Sequence, residues 1–589
     1  MENWVIKNKK ADFEQIAKKC GVSEVIARCL VNRGLEEPEE IDSYLHPSLD
    51  KLHSPFLLKD MDKACDILEE KIALSKRIRI IGDYDVDGVV ATYILYRSLR
   101  KMGAKVDYEI PDRINDGYGL NNRMIEEAKD DNIDTLLTCD NGITAMEEIK
   151  RAKEYGMTVI VTDHHSLAKL EDGRSILPDA DAIINPWQTD CQYPFPNLCG
   201  AAIAYKLVLA LLSRYKLPDS ISYARELITY TAIATVCDVM ELIDENRIIV
   251  KHGLSLLKET PNKGLLALME VCKLDKDNIK AFHMGFIIGP CLNASGRLDT
   301  AKKGVKLLLS ETDKEALLQA TELRSLNEER KNMTAENVEK AHIIIEKENL
   351  LNDLILLVYL PDCHESLAGI IAGRIKEYYH RPTIVLTDAL DGIKGSARST
   401  ESYNMIKELS KHKEFMIKLG GHPMAAGLSL LYENIEPLRR ALNNNPPITE
   451  EDLVPKVTID VLLPLGYLSY DLIEDLNLLE PFGNGNPKPL FVEKDLTIKS
   501  LFVIGKNSNG IRMRVINLYG REMDALYFGN IDRFFGHISD TYGEEELRRL
   551  RSGRATRLKL TITYYPSINE YMGNKSIQLM IQNYRLNIE

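Results

Sequence analysis

Three short aliphatic runs constrain the fold of this chain more than any other feature. Ile78-Arg-Ile-Ile-Gly82, Thr135-Leu-Leu-Thr-Cys139 and Thr158-Val-Ile-Val-Thr162 are each followed at once by an aspartate: Asp83, Asp140 and Asp163. The stretches between them read as helix. Strand, helix, strand at intervals of about 25–50 residues predicts a parallel α/β sheet, because parallel neighbours need a long crossover connection. In such sheets ligands sit beyond the carboxyl ends of the strands. Here those ends carry carboxylates.

The 589 residues exceed what one core organises; at roughly 100–200 residues per domain, three to five domains are expected. Residues 1–75 read as helices punctuated by Pro47 and Pro55. Residues 305–360 contain neither Gly nor Pro, and Ser310-Glu-Thr-Asp313 resembles a capping box. One long helix to about Lys347 is therefore predicted between two lobes. A second α/β region follows, with strand-like Leu354–Leu360, a helix around Ile370–Tyr379, and strand-like Thr383–Leu386. Past about residue 455, alternating strands and Gly turns predict a small β-barrel.

Composition excludes several classes. With 44% hydrophobic and 28% charged residues the chain is neither collagen-like nor wholly disordered. Its ten cysteines include no C-x-x-C pair, which argues against a zinc ribbon or dithiol centre and for reduced thiols in the cytoplasm. No stretch approaches the roughly 18–20 apolar residues of a membrane span, and the charged N-terminus lacks an apolar targeting core. The net charge of −13 argues against coating nucleic acid by bulk electrostatics. A mean charge says nothing about one cleft.

The densest chemical feature is Gly82-Asp83-Tyr84-Asp85-Val86-Asp87-Gly88. Three carboxylates at alternate positions raise one another's pKa, and a divalent cation resolves the repulsion. Asp140-Asn-Gly-Ile143 and Asp163-His164-His165 end the next strands, and Asp238 closes the apolar segment Tyr230–Cys237. Oxygen-rich ligands with one or two imidazoles suit Mn²⁺ or Mg²⁺ better than Zn²⁺. Such a set is large enough for two ions sharing one carboxylate, an arrangement that clamps the attacking and leaving oxygens of a phosphoryl centre.

Asp83-Tyr-Asp-Val-Asp-Gly88, Asp140-Asn-Gly, Asp163-His-His165 and the isolated Asp238 resemble the four motifs of the DHH phosphoesterases. Five later segments narrow the resemblance to the RecJ family of single-strand-specific 5′→3′ DNA exonucleases. They are Pro111–Asn121, Gly289–Arg297, Gly395–Arg398, Gly420–His422 and Glu480-Pro-Phe-Gly-Asn-Gly-Asn-Pro487. The resemblance spans about residues 50–589 in one order. It implies two α/β lobes, a DHH domain with a parallel sheet and a DHH-associated domain, joined by a long helix, plus a C-terminal OB-type β-barrel. The expected segments are 1–50 as a helical lead-in, 51–305 catalytic, 306–350 connecting, 351–450 substrate-binding and 455–589 single-strand-binding.

Carried across, Asp85, Asp140, His164 and Asp238 are expected to hold one ion, and Asp83 with the bridging Asp140 the other. His165 is placed to contact the nucleophile or the scissile phosphate, and Asp163 to orient the loop. Many DHH relatives carry His four residues before the first motif aspartate; Arg79 stands there in this chain. The second metal site is therefore expected to have fewer ligands and to bind more weakly. RecJ proteins often have Trp before, and Gly two residues after, a histidine matching His364; here they are Cys363 and Ser366.

The resemblance also implies a pocket for a 5′-terminal phosphate at Arg113, Ser396 and Arg398, whose forked donors and hydroxyl suit an anion. Arg297 is expected to neutralise the scissile phosphate; the alternative is an ion pair with Asp299. Gly420, Gly421 and His422 are expected to bring backbone N–H groups and an imidazole to a phosphate. In the barrel, Leu547–Thr561 holds Arg548, Arg549, Arg551, Arg554, Arg557 and Lys559 with no acidic residue. With Tyr527, Phe528, Tyr564 and Tyr565 this predicts a basic groove with aromatic platforms for single-stranded DNA. Helicase and single-strand-binding protein partners, a monomer, and no membrane association complete the expectation. Two rivals are a DHH hydrolase of short oligonucleotides or cyclic dinucleotides, for which the C-terminal module has no use, and a catalytically silent DNA scaffold, for which the acidic cluster has none.

Overall fold

The computed structural model describes residues 2–168, 175–215, 217–389, 392–505, 508–554, 557–571 and 573–587. The chain forms two compact units. One comprises Leu49–Val454 with Gly483–Gly485; the other comprises Met1–Ser48, Pro455–Phe482 and Asn486–Glu589.

In the first unit, the strands Lys105–Glu109, Arg77–Ile81, Thr135–Cys139, Thr158–Thr162 and Ala182–Ile184 lie side by side in that order, all parallel. The near-continuous burial of Thr135–Cys139 and Thr158–Thr162 follows from cover on both faces. Ile78, Ile80, Leu137 and Ile160 pack with the helices Val86–Lys101 and Gly200–Tyr215. Ile81, Leu136, Val159 and Val161 pack with Asn122–Asp130 and Met146–Glu154. Strand Arg77–Ile81 lies between the strand that follows it and the next one on, so the winding reverses direction there. A crevice opens at such a reversal beyond the carboxyl ends. Asp83 and Asp140 stand at it.

The long helix runs over Asp313–Lys347, 35 residues, or roughly 52 Å at 1.5 Å per residue. Its N-cap is Thr312, whose hydroxyl accepts from Glu315 N at 3.2 Å; Ser310 belongs to the end of the preceding helix Lys302–Leu309. The second lobe is a five-stranded sheet ordered Met416–His422, Ala425–Leu430, Gly392–Arg398, Thr383–Ala389, Leu356–Tyr359. Only the last pair is parallel.

In the other unit, Phe491–Ile504, Gly510–Ile516, Glu522–Tyr527, Asn574–Asn587 and Lys559–Tyr571 pair in sequence, and the last pairs back with the first. This closes a five-stranded barrel. The N-terminal segment is not all helix: Asn3–Ile6 is a strand paired in parallel with Lys456–Ile459. Ile26, Leu30, Ile41 and Leu45 share the barrel's core with Leu472, Phe491 and Leu496. Four residues without a strong apolar pattern become a strand here because a partner more than 450 residues away supplies the ladder.

Two expectations about the barrel are corrected. Arg548, Arg549 and Arg551 lie on a helix, Glu544–Arg551, rather than on a barrel strand. Tyr564 and Tyr565 are buried core residues and offer no platform; Tyr564 Oη donates to the Leu463 carbonyl at 2.5 Å. Exposed rings in this unit include Phe502, Tyr519, Phe528 and Tyr571. No helix among the described residues is long and apolar enough to cross a membrane, and all ten cysteines are free.

Candidate metal centre

The strand ends and the C-terminus of the helix Ser220–Cys237 bring Asp83, Asp85, Asp140, His164, His165 and Asp238 together. Ligand atoms of Asp83, Asp85 and Asp140 lie within 4.8 Å of one another; so do those of Asp140, His164 and His165, and those of Asp87, His164 and Asp238. Asp140 and His164 each belong to two of these groups. Asp140 follows its strand in the left-handed region, φ 62°, a conformation that Asp tolerates better than most side chains. Its carbonyl accepts from Tyr118 Oη at 2.7 Å. The adjacent Asn141 ties the strand ends by donating to the carbonyls of Ile81 (3.0 Å) and Cys139 (2.9 Å).

The loop after Ile81 turns into a helix that begins at Val86. Asp85 caps it, its Oδ1 accepting from Asp87 N at 2.8 Å and Gly88 N at 3.1 Å. Asp87, which was not among the residues assigned to metal, accepts from Gly200 N (2.6 Å) and Ala201 N (2.8 Å) at the start of another helix. Those bonds aim its Oδ2 to 3.7 Å from His164 Nε2. The alternate spacing of the heptad was the available signal for Asp87; its partners at Gly200 and Ala201 were not visible in sequence.

Burial, then repulsion from neighbouring aspartates, raises the pKa of Asp83, Asp85, Asp140 and Asp238. Burial lowers that of His164, favouring the neutral, ligating imidazole. Asp140 Oδ1 is buried and accepts no hydrogen bond, although His164 Nε2 lies 3.1 Å away. Such an orphan acceptor among mutually repelling carboxylates is costly unless a cation satisfies it. The donor set fits a hard divalent ion.

His165 is held differently. Asp163 Oδ1 lies 2.8 Å from its Nδ1 and accepts its backbone N–H at 3.0 Å, while Oδ2 accepts from Ile143 N at 2.9 Å. Burial opposes charging of His165, but the Asp163 contact wins and raises its pKa to about 9. Arg79 is committed elsewhere, to Asp107 (2.8 Å) and Asp131 (2.8 Å).

Beside the carboxylates stands a group of arginines. Arg113 lies 4.6 Å over the Tyr84 ring. Burial first, and the Arg113 charge next, lower the pKa of Arg297, to about 9, and that of Arg398. Among the described residues none of these three guanidinium groups forms an ion pair. Arg297 does not use Asp299, which pairs with Lys303 at 2.6 Å; it donates to the Ser366 carbonyl at 2.7 Å. The Ser366 hydroxyl in turn lies 2.8 Å from His364 Nδ1. Arg398 and Ser396 occupy one face of their strand, against Gly369. Gly420, Gly421 and His422 lie on the exposed edge strand. Gly420 faces Gly427, which faces Ser396, so this tripeptide stands two strands, roughly 10 Å, from Ser396. Guanidinium groups without ion-pair partners among the described residues thus stand beside buried carboxylates, an arrangement that could hold cations on one side and an anion on the other.

Comparison with known proteins agrees with this arrangement. Residues 77–235 match the DHH family N-terminal domain, 352–445 the DHHA1 domain and 459–583 the RecJ OB domain. The chain is 34% identical to a single-stranded-DNA-specific exonuclease RecJ of Bacillus subtilis, over 98% of this chain and 70% of that one. It is 32% identical to the Haemophilus influenzae protein of that name, over 93% and 94%. The crystal structure of RecJ in complex with Mn²⁺ from Thermus thermophilus superposes with a TM-score of 0.82 at 26% identity, covering 100% of this chain and 80% of that one. A Mg²⁺ complex from the same source gives 0.76 at 25%, covering 100% and 79%. Three domain matches in order, and relatives more than 30% identical over nearly the whole of this chain, have one reading: the chain belongs to the RecJ family within the DHH phosphoesterases.

Proposed function

We propose that this protein is a single-stranded-DNA-specific 5′→3′ exonuclease that releases 5′-mononucleotides, with two Mn²⁺ or Mg²⁺ ions, in DNA repair and recombination. The observation that carries it is Asp140, whose carboxylate belongs to two ligand groups at the sheet's crevice and whose buried Oδ1 has no hydrogen-bond donor. Relatives named as single-stranded-DNA-specific exonucleases, and the Mn²⁺ and Mg²⁺ complexes from Thermus thermophilus, support it.

Asp85, Asp140, His164 and Asp238, joined by Asp87, would hold one ion, and Asp83 with Asp140 the other. When bound, the ions supply an activated water and neutralise charge on the scissile phosphate. The water oxygen joins phosphorus and the 3′-oxygen of the departing nucleotide leaves. Arg297 balances the phosphate charge, and His165, held by Asp163, faces the reacting group. Each cut leaves the shortened strand with a new 5′-phosphate, the group that Arg113, Ser396 and Arg398 are built to grip. Capture of that end sets both polarity and register. Gly420, Gly421 and His422 take a further phosphate.

In this reading residues 51–305 carry catalysis, 351–450 hold the strand end, 306–350 connect them, 455–589 track the single strand, and 1–50 lead in. The protein acts as a cytoplasmic monomer beside a helicase and a single-strand-binding protein.

The test uses Mn²⁺ and single strands labelled at either end, with and without a 5′-phosphate, beside blunt duplex and dinucleotides. Release of 5′-mononucleotides from the 5′ end of single strands is expected. Equal cutting of blunt duplex, or action on dinucleotides alone, overturns the proposal.

A further inference from the structure

The motif Glu480–Pro487 has no part in the chemistry above, yet three of its residues, Gly483–Gly485, fold with the catalytic unit. They meet the segment that follows Asp238. Asp238 caps the helix Ser220–Cys237. The next residue, Val239, has φ +57°, a backbone region that costs a β-branched side chain dearly. Its side chain is 66% exposed, so packing does not compensate the strain. Hydrogen bonds do. Asn484 Nδ2 donates to the Val239 carbonyl at 2.8 Å, and the Asn484 carbonyl accepts from Leu242 N at 2.8 Å. Asn484 Oδ1 is held in turn by Gly485 N at 3.0 Å.

Gly485 permits this approach, and Gly483 packs close beside it. A Cβ on Gly485, whose φ is +70°, would stand 2.9 Å from Glu241 Cβ, and one on Gly483 would stand 2.7 Å from Leu242 Cδ1. From the other side, Asn246 Nδ2 donates to the Glu241 carbonyl at 3.1 Å and Asn197 Nδ2 to Glu241 Oε2 at 3.2 Å. The turn after Asp238 is thus clamped from two directions, and its strained residue is held by Asn484.

We infer that Gly483-Asn484-Gly485 is a positioning element of the metal centre, in which Asn484 fixes the Val239 turn and thereby the direction in which Asp238 presents its carboxylate to a divalent cation. The inference rests on the reading of Asp238 as a metal ligand. Removing a hydrogen bond that orients a ligand typically weakens metal affinity about 10–100-fold.

The experiment titrates Mn²⁺ against the full-length protein, by direct binding without DNA and by rate of single-strand digestion. Asn484→Asp keeps the side chain's size but loses the donor, and Asn484→Ala loses both. Each is expected to raise the Mn²⁺ concentration for half-saturation about tenfold, with kcat at saturating Mn²⁺ within about threefold of wild type. Val239→Gly removes the strain at positive φ, so adding it to Asn484→Ala is expected to restore most of the lost affinity. Asp238→Asn is the control for the underlying reading. If Asp238→Asn shifts the Mn²⁺ response and Asn484→Asp does not, the inference fails and the metal reading stands. If Asp238→Asn itself leaves the response unchanged, the metal reading fails.

Discussion

Asp163 and His165 form one unit: a single carboxylate oxygen meets both Nδ1 and the backbone N–H of the same histidine, at 2.8 and 3.0 Å. That grip fixes the imidazole's rotation while leaving Nε2 free of Asp163. Replacing Asp163 with Asn keeps the shape and removes the charge. Orienting partners of this kind typically contribute about 10–100-fold to activity. Asp163→Asn is therefore expected to lower kcat by that factor and leave single-strand affinity within about twofold, as read by single-turnover digestion and fluorescence anisotropy.

The acidic cluster opposes folding when no metal is present. Burial and mutual repulsion hold Asp83, Asp140 and Asp238 above the ordinary carboxylate range. For groups raised in this way, the stabilising contribution is complete below the unfolded carboxylate pKa and is lost as pH rises through the folded values. Asp140→Asn is expected to stabilise the metal-stripped protein by about 1–2 kcal/mol, more at pH 8 than at pH 5. The same change abolishes digestion. Denaturant melts in EDTA at the two pH values check the sign, and an unchanged or lower midpoint at pH 8 counts against it.

Arg398 is half-buried, donates to its neighbour's carbonyl at 2.8 Å, and has no carboxylate partner among the described residues. Each charge-assisted hydrogen bond to an anion is worth about 1.5–3 kcal/mol. Arg398→Ala should therefore reduce kcat/KM on 5′-phosphorylated strands about 10–100-fold. Strands with a 5′-hydroxyl should lose little. Equal losses on the two substrates would refute the assignment.

The arginines at the end of the barrel unit's helix Glu544–Arg551 and just beyond it bear on salt dependence. Arg548 and Arg554 are not ion-paired among the described residues, whereas Arg549 meets Glu546 at 3.7 Å. Each phosphate contact to a single strand contributes about 0.7 to the slope of log K against log salt. Arg548→Ala with Arg554→Ala is expected to flatten that slope by about 1.4. An unaltered slope removes the end of this helix and the residues just after it from the DNA path.

The parallel sheet and most of the residues gathered at its candidate metal centre were legible because their signals are local. A short aliphatic run followed at once by an aspartate states both a buried strand and the group at its end, and the order of such runs implies a parallel sheet with its carboxylates on one edge. The −13 net charge was never evidence against a nucleic-acid enzyme: part of it is this cluster, and guanidinium groups gather beside it. What only the tertiary structure decided depends on chain segments far apart in sequence. Asp87 joins His164 and Asp238 because a helix starting at Gly200 meets it. Asn3–Ile6 is a strand because Lys456–Ile459 is there to pair with it. Tyr564 and Tyr565 looked like platforms beside a basic run, but both are buried, Tyr564 against Phe491 and Tyr565 against Phe482. Asn484 reaches Val239 across 245 positions. Local pattern reports which residues prefer burial and which bend the chain; which distant groups share a site is set by packing, and no short window of sequence contains that information.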